Sequence, residues 1–485
     1  MLNLMWFRSD LRVYDNPALM AARNQGTTCA IYFATPEQWR EHDWSEGKIS
    51  LVVAQVEALS RELAKLNIPL TVLRVERFAD IPERLACWVR ECSVTQVFFN
   101  YEYEINESAC ADAVTAMLHG ESVPAWGYHD QCIIPPGQIR TRTGGVFKVF
   151  TAFKKVFLEQ FPTRSRGIFN RPEMQHAKPF KGNSDALSEI PVERRWRSLW
   201  PMGENEAHDR LNRFIEHKIN GYRDDRDVPS LDSTSALSPY LTLGCLSTTQ
   251  CMHAAMSANY GRYQDGNPGV LTWINELIWR EFYRHLMFAF PDICRYRPFK
   301  PETDLLPWSR DEALFSAWKT GQTGFPIVDA AMRQLLHLGW MHNRLRMVTA
   351  MFLTKDLFID WRWGERYFMQ MLVDGDLASN NGGWQWSAST GVDAAPYFRV
   401  FNPVRQSERF DPKGVFIRRY LPELAALDDR SIHQPSAAQA RACGYPLPIV
   451  DHRLAVDSVK AHFKALSLID DDKAMPTVNA LSVMG

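Results

Sequence analysis

Five short apolar runs separated by amphipathic stretches govern the first 130 residues. LNLMWF (2–7), CAIYF (29–33), PLTVLR (69–74), TQVFFN (95–100) and VPAWGY (123–128) read as buried strands. Residues 47–66 and 105–118 repeat apolar side chains at helical spacing, 78–91 reads as a third helix, and Asn16-Pro17 opens another. Such alternation leaves few solutions, because each helix carries the chain back across one face and the next strand must run parallel. The expectation is a doubly wound, five-stranded parallel sheet of Rossmann-like α/β type over residues 1–130.

Ligands of such sheets lie outside the carboxyl ends of the strands. No GxGxxG follows the first strand and there is no P-loop. On that rule His42, after the second strand, approaches Asn106 and Glu107, after the fourth. Helix capping is the competing reading of Asn106 and Glu107, since amides and carboxylates at a helix start commonly bind free backbone N–H groups.

From 131 to 200 the chain is rich in Pro, Gly and basic residues and reads as a long connection. Beyond it, 201–470 turns helical in period, and 471–485 reads as a tail. No apolar run approaches the ~18 residues that span a bilayer, and MLNLMWFRSD reads as a first strand instead of a secretion signal. Nine cysteines without a CxxC pair point to reduced thiols in a cytosolic protein, with no metal expected. No dimer seam is evident, so a monomer is the expectation.

Net charge is −1, yet basic residues cluster. Residues 137–170 carry Arg140, Arg142, Lys148, Lys154, Lys155, Arg164 and Arg166 against Glu159, and 395–420 carry Arg399, Arg405, Arg409, Lys413, Arg418 and Arg419 against Glu408 and Asp411. Interleaved with Phe and Tyr, they suit a phosphate backbone, although solvated faces would look similar.

The run DGDLASNNGGWQWSASTGVDAAPYFRVFNP (374–403) places Asp374, Asp376, Asn380, Asn381, Trp384 and Trp386 together. A packed core has no use for that mixture, because each buried carboxylate or amide needs a partner. A polar, ring-shaped ligand does. In LTWINELIWREFYRHLMF (271–288), Ile274, Leu277, Ile278 and Phe282 form a buried stripe, with Trp273, Glu276, Trp279, Arg280 and Tyr283 on the other side. In GWMHNRLRMVTAMFL (339–353), Asn343, Arg346 and Met347 share a face and Arg344 points elsewhere. Tyr222 and Thr234-Ser235, ahead of Leu237-Ser238, offer hydroxyls and amides near a helix start, a place suited to phosphate and equally to a cap.

NELIWREFYRHL, TGFPIVDAAMRQL, GWMHNRLRM, DGDLASNNGGWQW and YFRVFNP, in that order, resemble the photolyase/cryptochrome family, and WFRSDLRVYDNPAL resembles its N-terminal domain. The pattern is nearest to the folate-type class I bacterial enzymes acting on cyclobutane pyrimidine dimers. The resemblance implies a cytoplasmic, nucleoid-associated enzyme that repairs dimers in DNA under blue light, with FAD bound in its reduced form in the helical domain. It implies that Tyr222, Thr234, Ser235, Leu237 and Ser238 hold the FAD phosphates and ribityl chain. Asn343, Arg346, Asp374, Asp376 and Asn380 would surround the isoalloxazine, with Arg346 paired to Asp374. Ala236 departs from the pattern, because a close relative has a basic residue there.

On the same footing Trp279 and Trp386 would pack beside the flipped pyrimidines, Glu276 would bond the thymine edge, Met347 would touch the bases, and Arg344 and Arg399 would clamp phosphates. Trp308, Trp361 and Trp384 would relay electrons, although composition alone favours core packing for each. His42, Asn106, Glu107, Cys294 and Arg295 would bind a methenyltetrahydrofolate antenna, with a deazaflavin as the alternative. A (6-4) photolyase would carry histidines in place of Asn343 and Met347, and a cryptochrome would be expected to have an extended C-terminal tail or altered lesion-face residues.

Overall fold

A computed structural model describes residues 1–474; of the expected tail 471–485, residues 471–474 instead end the helix His452–Ala474, and 475–485 lie outside the described residues. The chain divides into two compact units, one formed by Met1–Arg295, Gln334–His342 and Glu365–Asn381, the other by the remaining segments.

The first unit is built on β1 (Leu2–Phe7), β2 (Thr27–Ala34), β3 (Leu70–Arg74), β4 (Gln96–Asn100) and β5 (Ala125–Tyr128). Their order is β3-β2-β1-β4-β5 and every pairing is parallel, with Leu4 opposite Cys29 and Val97. Central β1 is buried over Asn3–Phe7, as expected of a strand covered on both faces. Side-chain alternation sends Leu4, Trp6, Ile31, Phe33, Val97 and Phe99 to one face. There they pack on α4 (Ile81–Glu91) through Leu85 and Trp88 and on α5 (Ile105–Gly120) through Val114 and Leu118. On the other face Asn3 Nδ2 donates to the Ala22 carbonyl of α1 (Pro17–Gln25) at 2.8 Å.

The expected doubly wound sheet is thus present, and two local features differ from the sequence reading. β2 begins two residues early, and a short helix, α2 (Pro36–Glu41), follows it with His42 as its C-cap. Six residues are too few to display helical periodicity. α3 (Glu46–Ala64) then completes the crossover to β3.

Within 131–200, Phe150–Arg164 forms a helix whose buried face is Phe150, Phe153, Phe157 and Phe161. The Asn183 carbonyl accepts from Val72 N at 2.7 Å, so this segment also hydrogen-bonds to the β3 edge. Beyond it the long helix Pro268–Ala289 is started by Asn267, whose side chain accepts from the backbone of Gly269 and Val270. Trp273, on the side opposite the apolar stripe, is also buried and packs on Phe214 with 4.9 Å between ring centroids. A second element covers the face that periodicity alone would leave open.

Candidate functional site

At the carboxyl end of the sheet, between the segments that follow β2 and β4, a cluster of titratable groups is held in fixed geometry. His42 Nε2 faces the side-chain nitrogens of Asn106 at 2.9 Å and Gln38 at 3.1 Å, while its Nδ1 lies 3.4 Å from Glu107. With two amide donors on Nε2, the proton belongs on Nδ1 and points to Glu107. Burial lowers the His42 pKa to about 4, with nearby Lys48 adding to the effect, so the imidazole is neutral. Burial raises the Glu107 pKa, and Glu104 and Glu102 push in the same direction. Lys48 is buried, donates to the Gly375 carbonyl at 2.7 Å and lies 3.8 Å over Trp44.

The Cys294 thiol is pushed up to about 12 by burial, more than the neighbouring backbone of Ile105, next to Asn106, lowers it. Arg295 is different. It is exposed and pairs with Asp292 at 3.4 Å, one turn away. Gln38 and Lys48 were not singled out in the sequence, because neither belongs to a motif.

The long helix presents a second constellation. Arg226 Nη1 bonds Glu276 Oε1, and the Arg226 guanidinium stands 5.7 Å from the buried Tyr222 ring. One helical step on, Trp279 lies flat against Phe150, with centroids 3.6 Å apart and planes 5° from parallel. Five residues further on Arg284 bonds Asp376 and donates to Gln131 Oε1 at 2.6 Å. Burial alone would raise the Asp376 pKa, but Arg284 and Arg280 outweigh it and hold it at about 2. Asp374 is buried, and its carbonyl accepts from Thr242 Oγ1 at 3.3 Å. Asn380 Nδ2 donates to the Glu365 carbonyl at 3.0 Å.

The turn before the short helix Ser238–Thr242 has an unusual state. Thr234 and Ser235 are half-buried, yet neither hydroxyl has a hydrogen-bond partner among the described residues. Ala236 holds φ +49°, a left-handed conformation that a non-glycine residue adopts at a cost. Leu237 is buried, and Ser238 Oγ accepts from Trp340 Nε1 at 3.2 Å.

In the second unit Asn343, Arg344, Arg346 and Met347 all lie on the helix Asn343–Met351. Arg344 and Met347 do not point apart as the sequence reading had them. Arg344 Nη1 reaches Met347 Sδ at 3.8 Å and the guanidinium covers Phe410 at 4.6 Å. Trp361 and Trp384 are buried, Trp308 and Trp386 are half-exposed, and Arg399 is exposed. Trp384 has the buried Trp318 edge-on at 6.1 Å.

Among the basic residues, Lys155, Arg142, Lys148 and Arg164 are exposed. Arg166 is tied to Asp15 and Asp130, and Arg418 to Asp429 at 3.0 Å, so these two serve the fold. Cys132, Glu281 and His285 bring ligand-type atoms within 4.8 Å of one another. Backbone groups already occupy two of the three, since Glu281 accepts from Ile133 N and His285 Nε2 meets the Ile134 carbonyl at 3.0 Å.

Comparison with known proteins gives a consistent answer. Residues 3–173 match the sequence model of the DNA photolyase family, and 273–465 match that of the FAD binding domain of DNA photolyase. The deoxyribodipyrimidine photo-lyase of Escherichia coli K12 is 44% identical over 96% of this chain and 98% of its own length. That of Vibrio cholerae is 43% identical over 93% and 97%. A bacterial class III photolyase from Agrobacterium tumefaciens superposes with a TM-score of 0.86 at 33% identity, covering 96% of this chain and 98% of that one. A Synechocystis cryptochrome superposes with a TM-score of 0.83 at 28% identity, covering 94% and 98%. With an α/β sheet domain, an FAD-binding helical region and near-complete coverage by these relatives, the chain belongs to the DNA photolyase family.

Proposed function

We propose that this protein repairs cyclobutane pyrimidine dimers in DNA, using blue light and reduced FAD. The observation that carries the reading is the pairing, on one helix, of a rigid aromatic platform (Trp279 on Phe150) with a carboxylate one turn earlier (Glu276 held by Arg226). An enzyme that acts on a base takes it out of the stack, and a dimer stacks poorly, so its extrusion costs less than that of an intact base. Trp279 replaces the lost stacking with a flat apolar surface. Glu276 accepts hydrogen bonds from the thymine edge, and the Arg226 guanidinium keeps its carboxylate oriented.

The residues present fit FAD. The half-buried Thr234 and Ser235 hydroxyls have no hydrogen-bond partner among the described residues, and Ser238 retains its own proton after accepting from Trp340. We assign Tyr222, Thr234, Ser235, Leu237 and Ser238 to the phosphates and ribityl chain, and Asn343, Arg346, Asp374, Asp376 and Asn380 to the isoalloxazine. Bound reduced FAD supplies, on excitation, one electron that the dimer accepts and that returns once both cyclobutane bonds have opened. Arg344, Met347, Trp386 and Arg399 carry lesion and phosphate contacts in this reading.

Trp384, Trp361 and Trp308 we assign to an electron relay, supported by exposure that rises from the two buried indoles to half-exposed Trp308. His42, Asn106, Glu107 and Cys294 form the antenna site, with methenyltetrahydrofolate as its chromophore. The Glu107 carboxylate and Asn106 amide suit the N–H and carbonyl edge of a pterin, while exposed Arg295 makes the weakest contribution. The protein is read as a cytoplasmic monomer, and none of its described helices is long and apolar enough to cross a membrane.

The deciding experiment is recovery of thymine absorbance from an oligonucleotide carrying one cyclobutane dimer, using reduced protein and a dark control. Recovery in light alone supports repair. No recovery with reduced FAD bound moves the assignment to a sensor of the cryptochrome kind.

A further inference from the structure

The second unit contains a cavity of about 220 Å³ lined by Lys300, Glu302, Thr303, Ser389, Tyr397 and Phe463, with Ala395, Pro396 and Leu466 completing its wall. Three features converge on it. Behind Ser389 and Phe463 stands Lys355, fully buried, whose Nζ donates to Ser389 Oγ at 2.9 Å and the Ala388 carbonyl at 3.1 Å and lies 4.1 Å over the Phe463 ring. No carboxylate pairs with it among the described residues, which is rare for a buried lysine. Burial, with Lys300 adding to it, lowers its pKa to about 7.

Lys355 also sits in a π-helical turn, Phe352–Asp356, and Ser389 holds φ +67°. Both are costly backbone states of the kind that gather at binding sites. Lys300 adds a second cation at the mouth, its Nζ 3.5 Å from the Ser389 carbonyl, and Glu302 is the single acid of the wall. The remaining wall is flat and apolar. Tyr397 stacks on Phe463 at 5.5 Å with planes 3° apart, and Phe463 belongs to the hydrophobic cluster against which both Tyr397 and Trp308 pack.

We propose that this cavity binds a small anionic electron donor, of the enediolate or aromatic carboxylate class, and delivers its electron to Trp308. The inference rests on the relay reading of Trp308 given above. Oxidised Trp308, a radical cation, takes one electron from the bound donor. The indole returns to its closed-shell form, and the donor leaves as its one-electron-oxidised radical, an enediolate also releasing its proton to solvent. Lys300 and Lys355 supply the attraction for the anion, and the Tyr397–Phe463 pair supplies the flat surface for its planar body. Half-exposed Trp308 is thus served by a site that raises the local donor concentration instead of depending on chance encounter.

The probe is ascorbate, a monoanion at neutral pH, with dithiothreitol as a neutral control. Two readouts are used on the FAD-loaded full chain. Ligand-detected NMR should show ascorbate binding that weakens roughly tenfold in Lys300→Ala, the loss of one charge-assisted contact, and also in Lys355→Met. After a light flash, decay of the tryptophan radical absorbance should saturate with ascorbate, rise linearly with dithiothreitol, and lose its saturation in Lys300→Ala. Ascorbate binding that is absent, or equal in wild type and Lys300→Ala, overturns the pocket. Linear decay with ascorbate, unchanged in the variants, overturns the donor role. Absence of any tryptophan radical in the wild type instead refutes the relay and, with it, the donor role, while the NMR arm still decides the anion site.

Discussion

Trp279 and Phe150 are stacked with 3.6 Å between their ring centroids and 5° between their planes, although 129 positions separate them. One face of the indole is therefore braced by protein. A ring held this way loses little entropy when a base is laid against it, which is what a substrate platform needs. Phe150 is buried at the start of its helix and also meets Phe282 edge-on at 5.9 Å.

Phe150→Ala should loosen that brace. Removing a buried phenyl costs about 3–5 kcal/mol of stability where the site cannot collapse. The decisive readout is affinity for a dimer-containing oligonucleotide, which should fall about tenfold as the stacked pair is lost. FAD content should stay at the wild-type level, and Phe150→Tyr should restore most of the affinity. Unchanged affinity in a folded, FAD-loaded Phe150→Ala protein would show that the platform does not depend on this stack.

Glu276 is oriented by Arg226, so both side chains should matter to repair and neither to flavin retention. Glu276→Ala should slow repair by about tenfold, the value of one charge-assisted hydrogen bond. Single-turnover repair by the prereduced enzyme measures this directly. Loss of FAD in that variant would refute the placement of Glu276 on the substrate side.

How much of this was legible beforehand follows from which signals are local. The sheet was readable because β1, β2 and β4 are apolar runs whose helices show their period, and Asn16-Pro17 announces a helix start with no tertiary information. α2 was not, since six residues display no period. The long helix revealed its stripe but not what covers Trp273, because packing on Phe214 is decided elsewhere in the chain. The same holds for Phe150 under Trp279, Arg226 on Glu276 and Gln38 on His42. Each joins a motif residue to one outside any motif, and sequence has no periodicity that reports such a contact.

Trp308→Phe should leave repair by chemically prereduced enzyme at the wild-type rate while abolishing photoreduction of the oxidised protein. Phenylalanine preserves the packing on Phe358, 4.9 Å away, but is far harder to oxidise than indole. Absorbance of FAD under blue light with an external reductant checks it. Photoreduction at the wild-type rate would remove Trp308 from the relay.

For the antenna, Glu107→Gln keeps the size of the side chain and removes its charge. A pterin offers N–H donors that favour the ionised carboxylate, whereas the protein alone disfavours it through burial and the neighbouring Glu104 and Glu102. Folate occupancy, measured by absorbance after release, should fall by one to two orders of magnitude in affinity, about 2 kcal/mol, with FAD unaffected. Equal occupancy in the variant would point to another chromophore in the cleft.

His285 gives a pH dependence whose sign can be worked out. Its Nε2 donates to the Ile134 carbonyl and its ring meets Phe153 at 5.0 Å, so it is buried as the neutral imidazole. Burial lowers its pKa from 6.5 to about 4, more than the hydrogen bond to Ile134 raises it. Between those values the unfolded chain binds a proton that the folded chain refuses. The stability contributed by neutral His285 is therefore complete above pH 6.5 and is lost as pH falls toward 4, by up to about 3 kcal/mol. Nearby Glu281, raised to about 7 by burial, titrates with the opposite sign, so the total slope of the wild type does not isolate the effect. His285→Gln does, because glutamine keeps an N–H donor for Ile134 and does not titrate. Urea unfolding midpoints of both proteins should be compared at pH 7.5, 6 and 5. The variant should lose less stability than the wild type on acidification, and a constant difference across that range would mean that His285 is not held neutral by burial.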